Sequence, residues 1–272
     1  MKSYYFKTLV VFLLTVLITN TVRAQNLYVR LNPGYAFATG AHEMEDFTNI
    51  TYNSQGESEE QIKVSFGQGL NFGAIVGYKF NDNMGAELGV SMMKGSKFTS
   101  KIDDSEDDYT AETSLSGDMI KINPSFVLFS GMDGVNPYAK FGFAVGIGKI
   151  KGEYNENDDN DIINFKMEMD GGSAIGITAG LGVIIDINDK MSFFTELNTL
   201  NMSYAPTKGR LTEVTYNGQN LLDDLSTSEK EFEFVDKLSS SDDESDSKPG
   251  KQLKTYYPFS NIGINLGMQI SF

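Results

Sequence analysis

The amino-acid sequence predicts an all-β fold, an eight-stranded antiparallel up-and-down transmembrane β-barrel with short periplasmic turns and long extracellular loops. Three observations lead to this prediction. The chain begins with a segment typical of export, apolar residues alternate with small or polar ones over eight stretches, and the connections between those stretches are alternately short and long. Short turns at one end and long loops at the other are the asymmetry of membrane barrels.

Residues 1–24 have the composition of a secretory signal peptide. Basic residues at Lys2 and Lys7 precede an apolar run over 9–18, and Ala24 offers a small residue for cleavage. The run is about ten residues long, whereas a spanning helix needs roughly 20. Cleavage is therefore favoured over the alternative, an uncleaved membrane anchor, and we expect residues 25–272 to form one outer-membrane barrel domain.

Each of the eight alternating stretches has roughly the length of a tilted membrane-spanning strand. The predicted strands are 26–39, 67–80, 84–98, 116–130, 137–150, 172–185, 191–204 and 256–272. Strands two and three, four and five, and six and seven are joined by tight turns rich in Asn, Asp and Gly. An even number of strands places both ends of the mature chain in the periplasm.

The other connections are long and acidic, and they occupy residues 41–66, 99–115, 151–171 and 205–255. We expect them to lie outside the cell. The last one, 205–255, has the composition of a partly disordered segment around 238–250, where Ser, Asp and Glu dominate.

The polarity of the two strand faces decides between a membrane barrel and a soluble one. One face of the last strand carries the bulky apolar residues Ile262, Ile264, Leu266, Met268, Ile270 and Phe272. The other face carries Asn, Gly, Gln and Ser. A water-facing surface would normally hold many charged residues, whereas small residues fit the narrow interior of an eight-stranded barrel. The apolar face is therefore expected to contact lipid; the alternative is a lipocalin-like barrel with its apolar face inward.

A few charged residues occur on the inward face and are predicted to form one layer. Arg30, Glu87, Lys140 and Glu196 lie on strands one, three, five and seven, each about four or five residues from the predicted periplasmic end. Lys121 lies higher, on strand four. Because buried charges are costly unless paired, we expect salt bridges across the lumen. These would form an internal plug or, alternatively, a switchable gate; a wide open pore needs more strands.

Composition excludes several classes of function. The formal charge is −15, and the first 24 residues hold three basic residues and no acid, so the remainder carries −18. Such a balance argues against binding nucleic acid. The chain has no cysteine, so disulfides and thiolate chemistry are excluded. We predict no cofactor and no metal site, although the acidic loops leave binding of Ca²⁺ or Mg²⁺ as an alternative.

The end of the chain carries the most specific motif. Asn265, Gly267, Ile270 and Phe272 follow the order polar residue, glycine, hydrophobic residue and terminal aromatic. In this motif and in its strand pattern, the mature chain resembles the small outer-membrane β-barrels of the OmpA/OmpX type, from Gram-negative bacteria. The resemblance implies recognition of the last strand by the barrel assembly machinery, and outer-membrane lipids and lipopolysaccharide as surroundings.

The resemblance also leads to expectations about how the barrel is anchored in the membrane and about its oligomeric state. Since the chain has no tryptophan, anchoring at the membrane surface is expected to rest on Tyr and Phe. The candidates are Tyr35, Phe37, Tyr204, Tyr256, Tyr257 and Phe259 at the extracellular side and Tyr78, Phe80, Phe193 and Phe272 at the periplasmic side. A closed barrel has no edge that demands a partner, so a monomer is expected.

The expected role is non-enzymatic: a structural or surface-interaction (adhesion-like) barrel that acts through its acidic extracellular loops. A narrow gated channel is the first alternative. A lipid-modifying enzyme is the second, and it would depend on His42, the only histidine of the chain. This residue lies beside Glu43, Glu45 and Asp46, and the many loop serines leave a dyad open. A catalytic base needs a positioned nucleophile and an orienting group, so a solvated loop histidine is the expected alternative.

Overall fold

The structure is a computed structural model that describes residues 26–39, 42–239 and 245–272, with the backbone alone for 42–46. The predicted signal peptide, residues 1–24, lies outside the described residues. Within the described ranges, no helix combines the length and the apolar character needed to cross a membrane.

The described residues are almost entirely β-structure, as predicted, and form nineteen strands. The first ten are β1 Leu27–Leu31, β2 Gly34–Ala38, β3 His42–Asn53, β4 Gly56–Val64, β5 Gly69–Asn81, β6 Met84–Gly95, β7 Phe98–Asp104, β8 Tyr109–Phe129, β9 Val135–Asp158 and β10 Asp161–Asp170. The others are β11 Ala174–Asn188, β12 Met191–Asn201, β13 Ser203–Tyr204, β14 Lys208–Tyr216, β15 Gln219–Asn220, β16 Glu231–Val235, β17 Gly250–Leu253, β18 Tyr257–Pro258 and β19 Asn261–Ser271. A 3₁₀ turn, Leu222–Asp224, precedes a short α-helix, α1 Thr227–Lys230.

Part of these strands pair into a closed ring. β1 and β2 continue one another across Asn32 and Pro33, and together they pair with β5 on one side and β19 on the other. From β5 the antiparallel ladders run through β6, β8, β9, β11 and β12 to β19. Every predicted strand overlaps one member of this ring. Closure pairs the backbone groups that an open edge would leave exposed.

The predicted count of eight strands is too small for the whole sheet. The long connections, expected to be loops, contain β3 and β4 in 41–66, β7 in 99–115, β10 in 151–171 and β14 to β17 in 205–255. Sequence periodicity missed most of these strands because they are short or carry polar residues on both faces; β4, for example, reads GESEEQIKV. β10 does alternate, with Ile163, Phe165, Met167 and Met169 on one face, but it lies within an acidic stretch that was predicted to be a loop. Their stability depends on pairing with neighbours distant in sequence, which local pattern does not report.

The added strands extend the ring at one end. β8 and β9 have 21 and 24 residues and continue beyond the ring, where they pair with each other, with β7 and with β10. β3 pairs with β4 and β7. β14 pairs with β10 and β16, and β16 pairs in turn with β17. We call the nine strands β4, β3, β7, β8, β9, β10, β14, β16 and β17, where they lie beyond the ring, the outer sheet.

The outward face of the ring is apolar and exposed. On β11, Ile175, Ile177 and Leu181 are 74%, 65% and 65% exposed, while Thr178 on the inward face is buried. The other ring strands repeat this arrangement. An apolar surface of this extent is far larger than a water-soluble monomer exposes, and it marks a surface that contacts lipid or another protein.

Two buried clusters fill the interior. The floor, at the end of the short turns, consists of Tyr28, Val127, Phe129, Tyr138, Ile184 and Phe194. The cap, at the end of the outer sheet, consists of Phe47, Val64, Phe66, Met93, Met119, Ala144, Ile150, Met169, Ala174, Leu200, Met202, Tyr204, Phe234, Tyr257 and Phe259. Tyr204, Tyr257 and Phe259 are at most 8% exposed, so their prediction as membrane-surface anchors is wrong. They turn inward because the outer sheet covers the ring and offers them an apolar interior.

Candidate functional site: the layered lumen

One strand shows how the lumen is layered. Along β12, the inward side chains are in turn Phe194 of the floor, Glu196, Asn198 and Leu200 of the cap. Alternate residues of a strand are about 6.6 Å apart. Between floor and cap there are therefore two further levels, a charged one at Glu196 and a polar one at Asn198.

The charged level brings together four of the predicted residues. Arg30 Nη1 lies 2.7 Å from Glu87 Oε1, and both side chains are almost fully buried. Lys140 Nζ lies 2.7 Å from Glu196 Oε2 and 3.6 Å from Glu87 Oε2, so this one ammonium group contacts both carboxylates. The signs alternate around the lumen, and two cations balance two anions. We call these four residues the charge layer.

Neutral side chains add hydrogen bonds to the charge layer. The hydroxyl of Tyr28 donates to Glu87 Oε1 at 2.8 Å, and the hydroxyl of Tyr138 donates to Glu196 Oε2 at 2.8 Å. Nε of Arg30 donates to Gln269 Oε1 at 2.8 Å. Hydrogen bonds of this kind offset part of the cost of burying the charges, which ion pairing alone often does not recover.

Aromatic rings surround the Arg30 guanidinium. Its Cζ lies 4.8 Å from the ring centre of Tyr28, 4.7 Å from that of Tyr138 and 5.2 Å from that of Phe194. Such distances allow cation–π attraction, which strengthens when water is excluded. The sequence prediction missed these rings. The alternation of side chains along each strand could have located them, because each ring lies two residues from a charged residue and therefore on the same inward face.

Glycines of neighbouring strands make room for the two tyrosine rings. Gly77 lies opposite Tyr28, and a Cβ there would lie 2.1 Å from Cζ of that ring. Gly182 lies opposite Tyr138, and a Cβ there would lie 2.4 Å from Cζ of that ring. The small residues of the inward face therefore have a packing purpose: each tyrosine lies flat over a glycine before it reaches its carboxylate.

Lys121, the fifth predicted residue, does not join the charge layer. It lies on β8 at 8% exposure and lines a polar cavity of about 60 Å³ between the charge layer and the cap. Leu200 of the cap lies at its upper side, and Lys140 and Glu196 lie at its lower side.

The residues of the predicted assembly motif are divided between the two faces of β19. Asn265 is buried and its Nδ2 donates to Glu196 Oε1 at 3.2 Å. Gly267 packs against the backbone of Leu31. Ile270 and Phe272 are exposed on the outer surface. The inward part of the motif thus supports the charge layer, and the outward part belongs to the apolar surface.

His42 and the acidic residues of the long connections are the alternative sites that the sequence offered. His42 begins β3, and its side chain lies outside the described part of the chain. Among the described side chains, no group of three or more His, Asp or Glu residues has the spacing of a metal site. Some of the described acids are paired with bases, as in Lys149–Glu168 at 2.9 Å and Lys151–Asp118 at 2.9 Å.

A ring of antiparallel strands with an apolar exterior and a filled polar interior is the arrangement of an outer-membrane barrel. A family model for the outer membrane protein beta-barrel domain matches residues 8–226. The chain belongs to this family. Its location is accordingly the outer membrane. No curated protein matches the chain.

Several solved structures are similar in outline. Neisserial surface protein A is 12% identical, with a TM-score of 0.38 over 90% of this chain and 97% of that chain. CarO of Acinetobacter baumannii is 16% identical, with a TM-score of 0.32 over 74% and 92%. The outer membrane protease OmpT of Escherichia coli is 8% identical, with a TM-score of 0.30 over 93% and 99%. Such values carry no conclusion about the activity of this chain.

Proposed function

We propose that this protein is a non-enzymatic outer-membrane barrel that holds an acidic outer sheet at the cell surface for structural or adhesion-like contacts. The observation that carries the proposal is that side chains close the lumen at three levels, the floor, the charge layer and the cap, and that the polar cavity between the last two measures only about 60 Å³. A lumen closed in this way supports the surface structure above it and does not need to conduct solutes.

In this proposal the membrane-spanning part is the ring, an eight-stranded up-and-down barrel in which β1 and β2 count as one strand. Residues 1–24 direct export and are removed. The last strand is read by the barrel assembly machinery, and the folded protein is a monomer among lipids and lipopolysaccharide. The outer sheet lies outside the cell, and the short turns and both termini lie in the periplasm, because membrane barrels place their short turns there.

Charge distribution supports a role for the outer sheet in recognition. The four long connections hold 30 of the 37 acidic residues and 11 of the 22 basic ones, a net charge of −19. The rest of the mature chain is nearly balanced. Since a surface of one sign attracts the opposite sign and is screened by salt, the expected partner is a basic surface, and its binding should weaken as the salt concentration rises.

Orientation can be tested because the natural chain has no cysteine. Ser105→Cys places a thiol in the turn between β7 and β8, and Asp189→Cys places one in the turn between β11 and β12. A membrane-impermeant maleimide added to intact cells should label Ser105→Cys, whereas Asp189→Cys should react only after the outer membrane is permeabilised. The reverse pattern would overturn the proposed orientation.

Closure can be tested in planar lipid bilayers. The purified protein should show no stable conductance steps at moderate voltage, because the floor, the charge layer and the cap block the lumen. A channel is the second candidate function, and one observation favours it: Lys140 is shared between Glu196 and Glu87, so a small shift of this ammonium group would redistribute the ion pairs. Conductance that changes in Lys140→Ala and Glu196→Ala would establish the channel and reject the closed barrel.

The non-enzymatic part of the proposal rests on the scarcity of catalytic groups. Acyl transfer and deacylation commonly need a histidine base held beside a nucleophile, and His42 is the only histidine. The direct test compares lipid A and phospholipids extracted from cells that express the natural chain or His42→Ala. Identical lipid profiles are expected, and a modification that depends on His42 would show the enzyme alternative to be correct.

A further inference from the structure

The polar cavity between the charge layer and the cap contains polar groups that have no partner in the protein. Oδ1 of Asn32 and Oδ1 of Asn71 are buried and accept no hydrogen bond among the described residues. Lys121, also buried, has neither a hydrogen-bond nor an ion-pair partner in that part of the chain. All three side chains line the same cavity. Buried polar groups are nearly always satisfied, so a group of three points to an occupant.

The strands explain why Lys121 is unpaired. Its neighbours in register are Ser91 on β6 and Gly146 on β9, and neither carries charge. On the adjacent β6, Glu87 lies opposite Ser125, four residues below Lys121 on β8. Four residues of strand span roughly 13 Å, about twice the reach of a lysine side chain. Glu87 is in any case already paired with Arg30.

The charge balance of the lumen indicates the sign of the occupant. The charge layer is neutral by itself, with two cations and two anions, so Lys121 adds one uncompensated positive charge. An isolated buried ammonium group is costly, whereas a paired one is tolerated. No hydrogen bond fixes the amides of Asn32 and Asn71, so each can turn its Nδ2 hydrogens toward an anion by rotating about χ2.

We propose that the polar cavity is a binding site for one small monovalent anion, held by the Lys121 ammonium group and by the amides of Asn32 and Asn71. The volume of about 60 Å³ sets the class of ligand. A single water needs about 10–15 Å³ on this scale, so the cavity holds a halide or nitrate ion with two or three waters. It excludes sugars, nucleotides and lipid headgroups. This proposal does not depend on the proposed surface function.

The test uses the full mature chain refolded in detergent micelles, in chloride or in gluconate at equal ionic strength and pH. The readout is the temperature at which the folded band shifts in electrophoresis. Chloride should raise this temperature and saturate, as expected for a ligand of the native state. Lys121→Met keeps the length of the side chain without its charge and should remove the chloride dependence. Lys190→Met, at an exposed turn, should keep it.

Two results would overturn the proposal: a natural protein that is indifferent to chloride, or a chloride effect that survives in Lys121→Met. If Lys121→Met does not fold, the natural protein crystallised from bromide gives the answer. An anomalous bromide peak within hydrogen-bond distance of Lys121 Nζ is expected, and a cavity that contains only water in the presence of bromide would reject the site.

Discussion

Removal of Arg30 is the sharpest test of the charge layer. Arg30→Met keeps an unbranched side chain but removes the ion pair with Glu87 at 2.7 Å and the hydrogen bond to Gln269 at 2.8 Å. Breaking a buried pair by removing one partner costs about 3–5 kcal/mol. Glu87 keeps the Tyr28 hydroxyl at 2.8 Å and Lys140 at 3.6 Å, so we expect a loss near the lower end, about 3 kcal/mol.

The assay is urea unfolding of the protein in lipid vesicles, with the folded fraction read from the electrophoretic band shift. Glu87→Gln should cost a similar amount, because it leaves Arg30 buried without its carboxylate. The double variant Arg30→Met/Glu87→Gln should cost less than the sum of the two by about 0.5–3 kcal/mol, since the residues are in contact. Strict additivity, or a loss below about 1 kcal/mol for Arg30→Met, would refute a coupled network.

Three further predictions concern the ring and the outer sheet. Gly77→Leu should prevent folding because a tyrosine ring of the floor occupies that space, whereas Gly89→Ala, whose Cβ would have no neighbour closer than 3.4 Å, should still give a heat-shifted band. Ile177→Lys should destabilise the barrel by about 2–4 kcal/mol in vesicle unfolding if it lies near the bilayer midplane, and a loss below about 1 kcal/mol would place it at an interface. The hydrogen bond from Lys149 holds the pKa of the Glu168 carboxyl below its ordinary 4.5. The Lys149–Glu168 pair therefore stabilises the folded state fully above pH 4.5, and this stabilisation is lost as the pH falls through the lowered pKa. Hydrogen exchange of β10 and β14 should therefore accelerate in acid, beyond its intrinsic change, and Glu168→Gln should remove that acceleration.

The ring was predictable from sequence because the two faces of each of its strands lie in different surroundings, one at the apolar outer surface and one in the polar interior. On β19 the outward residues Ile262, Ile264 and Leu266 alternate with Asn261, Gly263 and Asn265, and this period of two is visible without any knowledge of pairing. The same parity placed Arg30, Glu87, Lys140 and Glu196 inside. Their common height followed from counting residues from the short turns.

The outer sheet could not be predicted in this way. Phe232 and Phe234 are two isolated aromatic residues within a polar segment, yet Phe234 is buried in the cap because β16 pairs with β14, more than twenty residues away. Such pairing is decided by tertiary contacts, which override local preference. The floor could have been predicted in part, because Tyr28 and Tyr138 share the inward face of Arg30 and Lys140. The glycine that makes room for each ring follows only from the pairing of the strands.

The order of the charged residues around the ring explains what the charge layer contributes beyond stability. Its four members lie on β1, β6, β9 and β12, and the strands between them are β5, β8, β11 and β19. In every pair of neighbouring ring strands, therefore, one strand carries a residue of the charge layer and the other does not. A slip of one residue would turn that residue's charge toward lipid, at about 2.5–3.5 kcal/mol for each charge at the bilayer centre. Four buried charges thus fix the register of the whole ring, which is a reason to keep them even where an apolar core would be equally stable.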